Sequence, residues 1–224
     1  MKEIVDNILN LIYPPVCGFC NKIYKESLCK KCEIKIKEYE INSIRKVKDK
    51  YFDELLCLFN YKDIIRKTII KYKFQNKVYL YKTFSKIILK NKKICGFLKK
   101  YDIIIPVPIS KRRKQKRGYN QSYLIAKEIE KFTNLKCENK CLIKQKDTIE
   151  QSKLNKNERK INIQGAYKII HKEKILNKKI LLLDDIYTTG NTVNECAKIL
   201  KQTGIKKIRC INNCKRLKEE KWKI

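Results

Sequence analysis

Histidine is almost missing from this chain: among 224 residues there is one, His171, in a polar segment just before Lys172-Glu173-Lys174. That setting is a surface setting, so a site built on imidazole is not expected. Long apolar runs are missing as well. No uninterrupted stretch approaches the roughly 18 residues of a membrane-spanning helix, and Lys2, Glu3 and Asp6 interrupt the first turns, where a secretory signal would be apolar. A cytoplasmic protein with no membrane insertion is expected. No G-K-[ST] triplet occurs, which excludes a Walker-type phosphate loop. Acids are few, 23 against 55 Lys and Arg, for a net charge of +32. Such an excess suits a nucleic-acid backbone or another anionic surface. Yet nearly all of it is Lys, spread along the whole chain among abundant Ile and Asn, as AT-rich codons would leave it. Both accounts stay open at this point.

Cysteine, by contrast, is plentiful at eleven. In a reducing compartment the thiols are better read as metal ligands and buried apolar groups than as disulfides. Four of them form two C-x-x-C turns, Cys17-Gly18-Phe19-Cys20 and Cys29-Lys30-Lys31-Cys32. Each turn offers two thiolates on one knuckle, and the intervening loop can bring the pairs together around tetrahedral zinc. Four thiolates leave no open position, so the site would be structural. A redox pair would want the strand-to-helix junction of a βαβ unit, and neither turn has one. Cys210 and Cys214, four apart, could form a further metal pair, but Cys210 falls in a predicted strand, where small buried thiols are common.

The most informative stretch is Ile180 to Thr192, ILLLDDIYTTGNT. Ile180 to Leu183 reads as a strand buried on both faces of a parallel sheet. Asp184 and Asp185 follow at its carboxyl end, where open α/β sheets bind ligands. Thr188, Thr189, Gly190, Asn191 and Thr192 then lead into a helix with apolar Val193, Cys196, Ala197 and Leu200. A loop of hydroxyls and bare N–H groups opening a helix is an anion site. Carboxylates repel phosphate, so acids beside a phosphate cradle imply a ligand with both a diol and a phosphate, as in a ribose 5-phosphate. The alternative is a strand, turn and helix with Asp and Thr as caps.

The rest of the chain divides around these features. Residues 2 to 12 read as an amphipathic helix with Ile4, Ile8, Leu11 and Ile12 on one side, stopped by Pro14 and Pro15. An exposed helix near Cys32 to Tyr39 and a charged connector over 42–50 precede an apolar strand at Glu54 to Tyr61. Helices are expected at about 63–73 and 78–90, with Tyr72, Lys73, Phe74 and Gln75 between them read either as an exposed basic-aromatic surface or, by preference, as core aromatics beside solvated lysines. Asp102 to Val107 is a strand ended by Pro106 and Pro108. A cationic loop follows, Lys111, Arg112, Arg113, Lys114, Lys116 and Arg117, with Gly118 before a helix from about Tyr119. Three of the eight arginines fall within this loop, and bias toward Lys cannot explain that. Charge-assisted donors at a strand's end suit a pyrophosphate. Trp222 lies in a tail after the last strand, expected near Ile205 to Asn212.

Leu181 to Thr192 resembles the phosphoribosyl-diphosphate signature of type I phosphoribosyltransferases. Pro106-Val107-Pro108, Arg117-Gly118-Tyr119-Asn120-Gln121, then Thr148-x-x-Gln151, Leu154, Arg159, Asn162, Gly165 and Ala166, narrow the resemblance to the ComF family of competence-associated phosphoribosyltransferase-like proteins, which carry an N-terminal cysteine ribbon. Two features depart from it. Only Cys57 stands where many relatives have a third cysteine pair, so a second zinc is not expected, and Ser110 stands where relatives often have His. The resemblance implies an α/β fold: an N-terminal helix and zinc ribbon over residues 1–50, then a type I phosphoribosyltransferase-like parallel sheet with flanking helices over 51–224.

By that resemblance Asp184 and Asp185 hold the ribose hydroxyls and residues 188 to 192 the 5-phosphate. Ser110, Lys111 and Arg112 face the pyrophosphate, and Gln151, Arg159 and Asn162 belong to a flexible loop that closes over the substrate. Mg²⁺ would accompany phosphoribosyl diphosphate, bound through the ligand's own oxygens and water. The reaction implied is displacement of pyrophosphate by a nitrogen nucleophile. A rival reading keeps the fold without turnover: a module that handles single-stranded DNA beside a competence helicase and uses the phosphoribosyl site for regulation.

Overall fold

The computed structural model describes residues 14–149, 154–205 and 207–215, without the side chains of 156, 157, 159 and 160. The amphipathic segment 2–12, Gln151 and Trp222 lie outside the described residues. A short bridge, Val16 to Ile23, opens the ribbon, and helix α1 (Lys30–Ile36) closes it, continued by a 3-10 turn to Tyr39. Then come strands β1 (Glu40–Lys46) and β2 (Glu54–Asn60) and helices α2 (Asp63–Phe74), α3 (Leu80–Lys90) and α4 (Lys92–Leu98). Strand β3 (Ile103–Pro106), helices α5 (Lys111–Arg117) and α6 (Gln121–Phe132) and strand β4 (Lys136–Cys137) follow. Strand β5 (Leu142–Lys144), helix α7 (Lys156–Ile163), strands β6 (Tyr167–Ile169) and β7 (Ile180–Tyr187), helix α8 (Asn191–Gln202) and strand β8 (Ile208–Lys215) complete the described chain.

Six strands form one sheet in the order β1-β2-β8-β7-β3-β4, parallel throughout except for the antiparallel edge β1; β5 and β6 pair separately. Strand β7 lies inside that sheet, and Ile180 to Leu183 are wholly buried, as a continuous aliphatic run between two helical layers should be. One layer contributes Ile65, Ile69 and Tyr72 of α2, Phe84 and Ile88 of α3 and Ile125 and Ile129 of α6. The other contributes Val193, Cys196, Ala197 and Leu200 of α8, the apolar stripe read from the sequence. Cys57, Cys210 and Cys214 are buried in the core. No helix among the described residues is long and apolar enough to cross a membrane.

Two expectations fail for the same reason. Residues 42–46 of the charged connector belong to β1, an edge strand whose partly buried residues are Ile41, Asn42 and Ser43, so its sequence carries little alternation. The cationic stretch 111–117 is a helix rather than a loop: the Ser110 hydroxyl accepts from the Arg113 N–H at 3.4 Å, and Gly118, at φ 75°, ends it. Neither element buries an apolar face, and apolar spacing is what reveals an element in sequence.

The ribbon is fastened to this body. Phe19, Leu28 and Ile36 share a core with Leu80 and Phe84 of α3. The Thr83 hydroxyl donates to the Ser27 carbonyl at 2.9 Å, Lys90 pairs with Glu33 at 2.9 Å, and Lys86 pairs with Glu26. Gly18 is required at this junction, since a Cβ there would stand 2.3 Å from Thr83 Oγ1.

Candidate phosphoribosyl site and cysteine cluster

The acids leave β7 on opposite faces, as successive strand residues must. Asp185 turns toward α2, where Lys73 Nζ lies 2.8 Å from its Oδ2. Asp184 turns toward Lys144 and Tyr167, beside Asn212 of the neighbouring strand. Burial, followed by the charge of Asp185, pushes the Asp184 carboxyl up to about 7, against the pull of Lys73 and Lys144. Burial, then Arg113, brings the Lys144 ammonium down to about 8. The pair is thus divided into a carboxylate held by a lysine and a carboxyl poised to take or lose a proton.

Past Tyr187 the chain turns through Thr188 to Gly190 into α8. Gly190 has φ 74°, and a Cβ there would lie 2.5 Å from Tyr187 Oη, so both the turn and the ring above it demand glycine. Asn191 opens the helix, and the Asn194 N–H returns to the Gly190 carbonyl at 2.9 Å. The Thr189 hydroxyl oxygen is buried with no partner among the described residues, as are the side-chain amides of Asn212 and Asn213 beside the acids. Orphaned buried polar atoms are costly, and they gather where a ligand would supply partners.

Asp184, Asp185, Thr188 and Thr192 line one open cleft of about 240 Å³. Arg113, Arg117, Lys73 and Lys144 line it too; the two arginines belong to the cationic stretch read from the sequence, whereas Lys73 and Lys144 carry no site assignment there, because they reach the acids from separate elements. Ser110 is buried as the cap of α5, whereas Lys111 and Arg112 are exposed on that helix and do not line the cleft. Arg113 Nη2 donates to the carbonyls of Thr148 and Ile149 at 3.1 and 3.2 Å, and Lys144 Nζ to the Thr148 hydroxyl at 2.6 Å. Asn162 clamps Ile149 from the other side, accepting from its N–H at 3.1 Å and donating to its carbonyl at 3.0 Å. Arg159 lies on the same helix, α7. His171 is exposed and is not among the residues that line the cleft.

In the ribbon the Sγ atoms of Cys17, Cys20, Cys29 and Cys32 all lie within 4.8 Å of one another, and those of Cys20 and Cys29 are 3.9 Å apart. Tetrahedral zinc with bonds of about 2.3 Å spaces its sulfurs by about 3.8 Å, so the cluster fits that ion. N–H groups of Cys29 and Cys32 point at Cys17 Sγ and Cys29 Sγ, each at 3.4 Å, the donors that thiolate ligands need.

The phosphoribosyl transferase domain model matches residues 109–223, half of the chain, and takes in the acids and the threonine loop. Competence protein F of Haemophilus influenzae is 27% identical over 199 residues, covering 86% of this chain and 87% of that one. Competence protein ComFC of Bacillus subtilis is 25% identical over 225 residues, covering 91% and 75%. A hypoxanthine phosphoribosyltransferase structure from Staphylococcus aureus aligns with 63% of this chain and 74% of its own at 12% identity and a TM-score of 0.37. With its acid pair, threonine loop and cysteine cluster in place, the chain belongs to the phosphoribosyl transferase domain family, in its ComF branch.

Proposed function

We propose that the cleft binds phosphoribosyl diphosphate with Mg²⁺ and that the chain serves DNA uptake, as the names of its competence relatives suggest. The observation that carries the ligand reading is the meeting, in one cleft, of two acids for a diol with hydroxyls and the cations Arg113, Arg117 and Lys144 for phosphates. Asp184 and Asp185 would accept from the ribose hydroxyls. Thr188, Thr189 and Thr192, with the first N–H groups of α8, would take the 5-phosphate. Arg113, Arg117 and Lys144 would face the pyrophosphate, with Ser110 holding the helix that carries the two arginines. Mg²⁺ would add charge neutralisation on the pyrophosphate oxygens. In turnover a nitrogen lone pair forms the new bond to ribose C1 as the C1–O bond to pyrophosphate breaks and the electron pair leaves with pyrophosphate.

Calorimetric titration with phosphoribosyl diphosphate, with and without Mg²⁺, tests this reading. Binding should require Mg²⁺. Replacing Asp184 and Asp185 together by Asn should weaken it by a hundredfold or more, since hydrogen bonds to charged groups are worth roughly 1.5–3 kcal/mol each. Binding unchanged by that double substitution would place the site elsewhere. A second reading, binding of single-stranded DNA, draws on one observation: Lys111, Arg112, Lys114 and Lys116 all stand exposed on α5 beside the cleft.

A further inference from the structure

The Arg117-Gly118-Tyr119-Asn120-Gln121 segment does little of its work on phosphate. Tyr119 Oη and Gln121 Nε2 both donate to one acceptor, the Tyr72 carbonyl in the last turn of α2. The Tyr72 hydroxyl returns a bond to the Gln121 carbonyl at 3.0 Å, and the rings of Tyr72 and Tyr119 stack at 5.7 Å. Asn120 caps α6 through the N–H groups of Ser122 and Tyr123 and donates to the Val107 carbonyl, tying this knot to the end of β3. The whole arrangement fixes where the next two residues of α2 point. Lys73 goes to Asp185. Phe74 goes to the cleft, 57% exposed, with the Arg117 guanidinium 5.0 Å from its ring centroid.

A lone exposed phenylalanine needs no explanation. This one differs on three counts: the Tyr72 carbonyl two residues before it is held by Tyr119 and Gln121, one face of its ring is covered by a cation, and it lines the cleft that holds the acid pair. Adjacent Cα atoms are about 3.8 Å apart, so the ring is presented within a side chain's reach of the carboxylate that Lys73 holds. We infer that Phe74, backed by Arg117, is a stacking platform for a planar nitrogen heterocycle, which places the acceptor of the proposed reaction on the α2 side of the cleft, away from the threonine loop. The guanidinium on the covered face fixes the ring's tilt, and the open face offers sequence-independent stacking to any purine or pyrimidine. The inference rests on the phosphoribosyl reading of the cleft and adds the second substrate's class and seat.

Titration with the free base 2-aminopurine, whose fluorescence is quenched on stacking, tests the platform with and without phosphoribosyl diphosphate and Mg²⁺. The wild type should quench the base saturably, Phe74→Leu should weaken the effect about tenfold or more, and Phe74→Trp should restore it. Thermal unfolding of each variant shows that the fold is kept. Equal quenching by wild type and Phe74→Leu, or none by either in both conditions, overturns the platform. So does quenching confined to 2-aminopurine within an oligonucleotide, which would assign the ring to nucleic acid. Calorimetry of phosphoribosyl diphosphate on the wild type reports separately on the phosphate side, so a failure there is not mistaken for a failure of the ring.

Discussion

The cysteine cluster and the cleft satisfy their polar groups in opposite ways. The four thiols come from one short segment, Cys17 to Cys32, and backbone N–H groups of that same segment already point at two of them. The cleft draws its groups from α2, α5, β5, β7 and α8 and holds Asp184 pushed up to about 7, while the loop that opens α8 keeps Thr189 Oγ1 buried without a partner among the described residues. A site that closes on itself is arranged for stability, whereas desolvated charges and orphaned donors cost stability and are a mark of candidate binding sites.

The comparison breaks first at the metal. Cys29→Ser, or a chelator, should release about one zinc per chain, read by elemental analysis of protein purified without added metal. Structural zinc can hold on the order of 10 kcal/mol in small modules. Because Phe19, Leu28 and Ile36 share a core with α3, the thermal midpoint of the whole protein should fall, not that of the ribbon alone. Folded wild type without zinc would remove the metal from the cluster.

The next effect tests the docking without touching the thiols. Gly18→Ala sets a Cβ 2.3 Å from Thr83 Oγ1 and 2.7 Å from Leu80 Cδ2, where the ribbon packs on α3. Overpacking of this kind costs about 1–3 kcal/mol. Denaturant unfolding should show that destabilisation with zinc retained, and Thr83→Ala should recover part of it in the double variant. An unchanged midpoint would mean that the ribbon and α3 can part freely.

The same contrast explains what could be read from sequence. The cluster and the β7 loop are local: two C-x-x-C turns and an aliphatic strand followed by Asp-Asp and Thr-Thr-Gly carry their chemistry in consecutive residues. Lys73 and Lys144 have no local signature. They are two lysines among very many, brought beside the end of β7 from α2 and β5 only by the folded chain. Phe74 illustrates the point most plainly, since the stretch Tyr72 to Gln75 reads either as an exposed basic-aromatic surface or, by preference, as core aromatics beside solvated lysines, and spacing cannot divide it between the two. Tyr72 is that core aromatic, fully buried, while Lys73 is paired with an acid and Phe74 is exposed. Assigning the three required the bonds from Tyr119 and Gln121, which no spacing rule predicts. Arg113 and Arg117 were legible as a cluster but not as individuals, because only the helical form of 111–117 decides which side chains meet the cleft.

On the cleft side, the cost of desolvating Asp184 should appear as a pH dependence. The folded Asp184 holds its proton up to about 7 against an ordinary value of 3.8, so the unfolded chain ionises first as pH rises. The stabilisation is complete below about pH 4, declines as pH climbs, and levels off above about 7; at roughly 1.4 kcal/mol per pKa unit, a few kcal/mol are at stake. Unfolding free energies of wild type and Asp184→Asn at pH 5 and pH 8 isolate this group from acid effects on the thiols. The Asn variant should be the more stable of the two at pH 8, and parallel curves would show that the carboxyl titrates normally.

The smallest effect concerns the charge that neither site uses. Of the cations on α5, Arg113 and Arg117 belong to the cleft, and Lys111, Arg112, Lys114 and Lys116 remain exposed. If these four track a single-stranded backbone, neutralising them together should flatten the slope of log K against log[salt] by about 0.7 for every phosphate they had paired with. Neutralising exposed Lys92, Lys93, Lys99 and Lys100 removes the same charge from another face and should change the slope far less. The helix adjoins the proposed pyrophosphate end of the cleft, so phosphoribosyl diphosphate should weaken DNA binding, and linkage requires DNA to weaken the small ligand by the same factor. Equal slopes for the two quadruple variants, with no competition, would return the excess of lysine to composition and leave anion binding on this surface to the cleft.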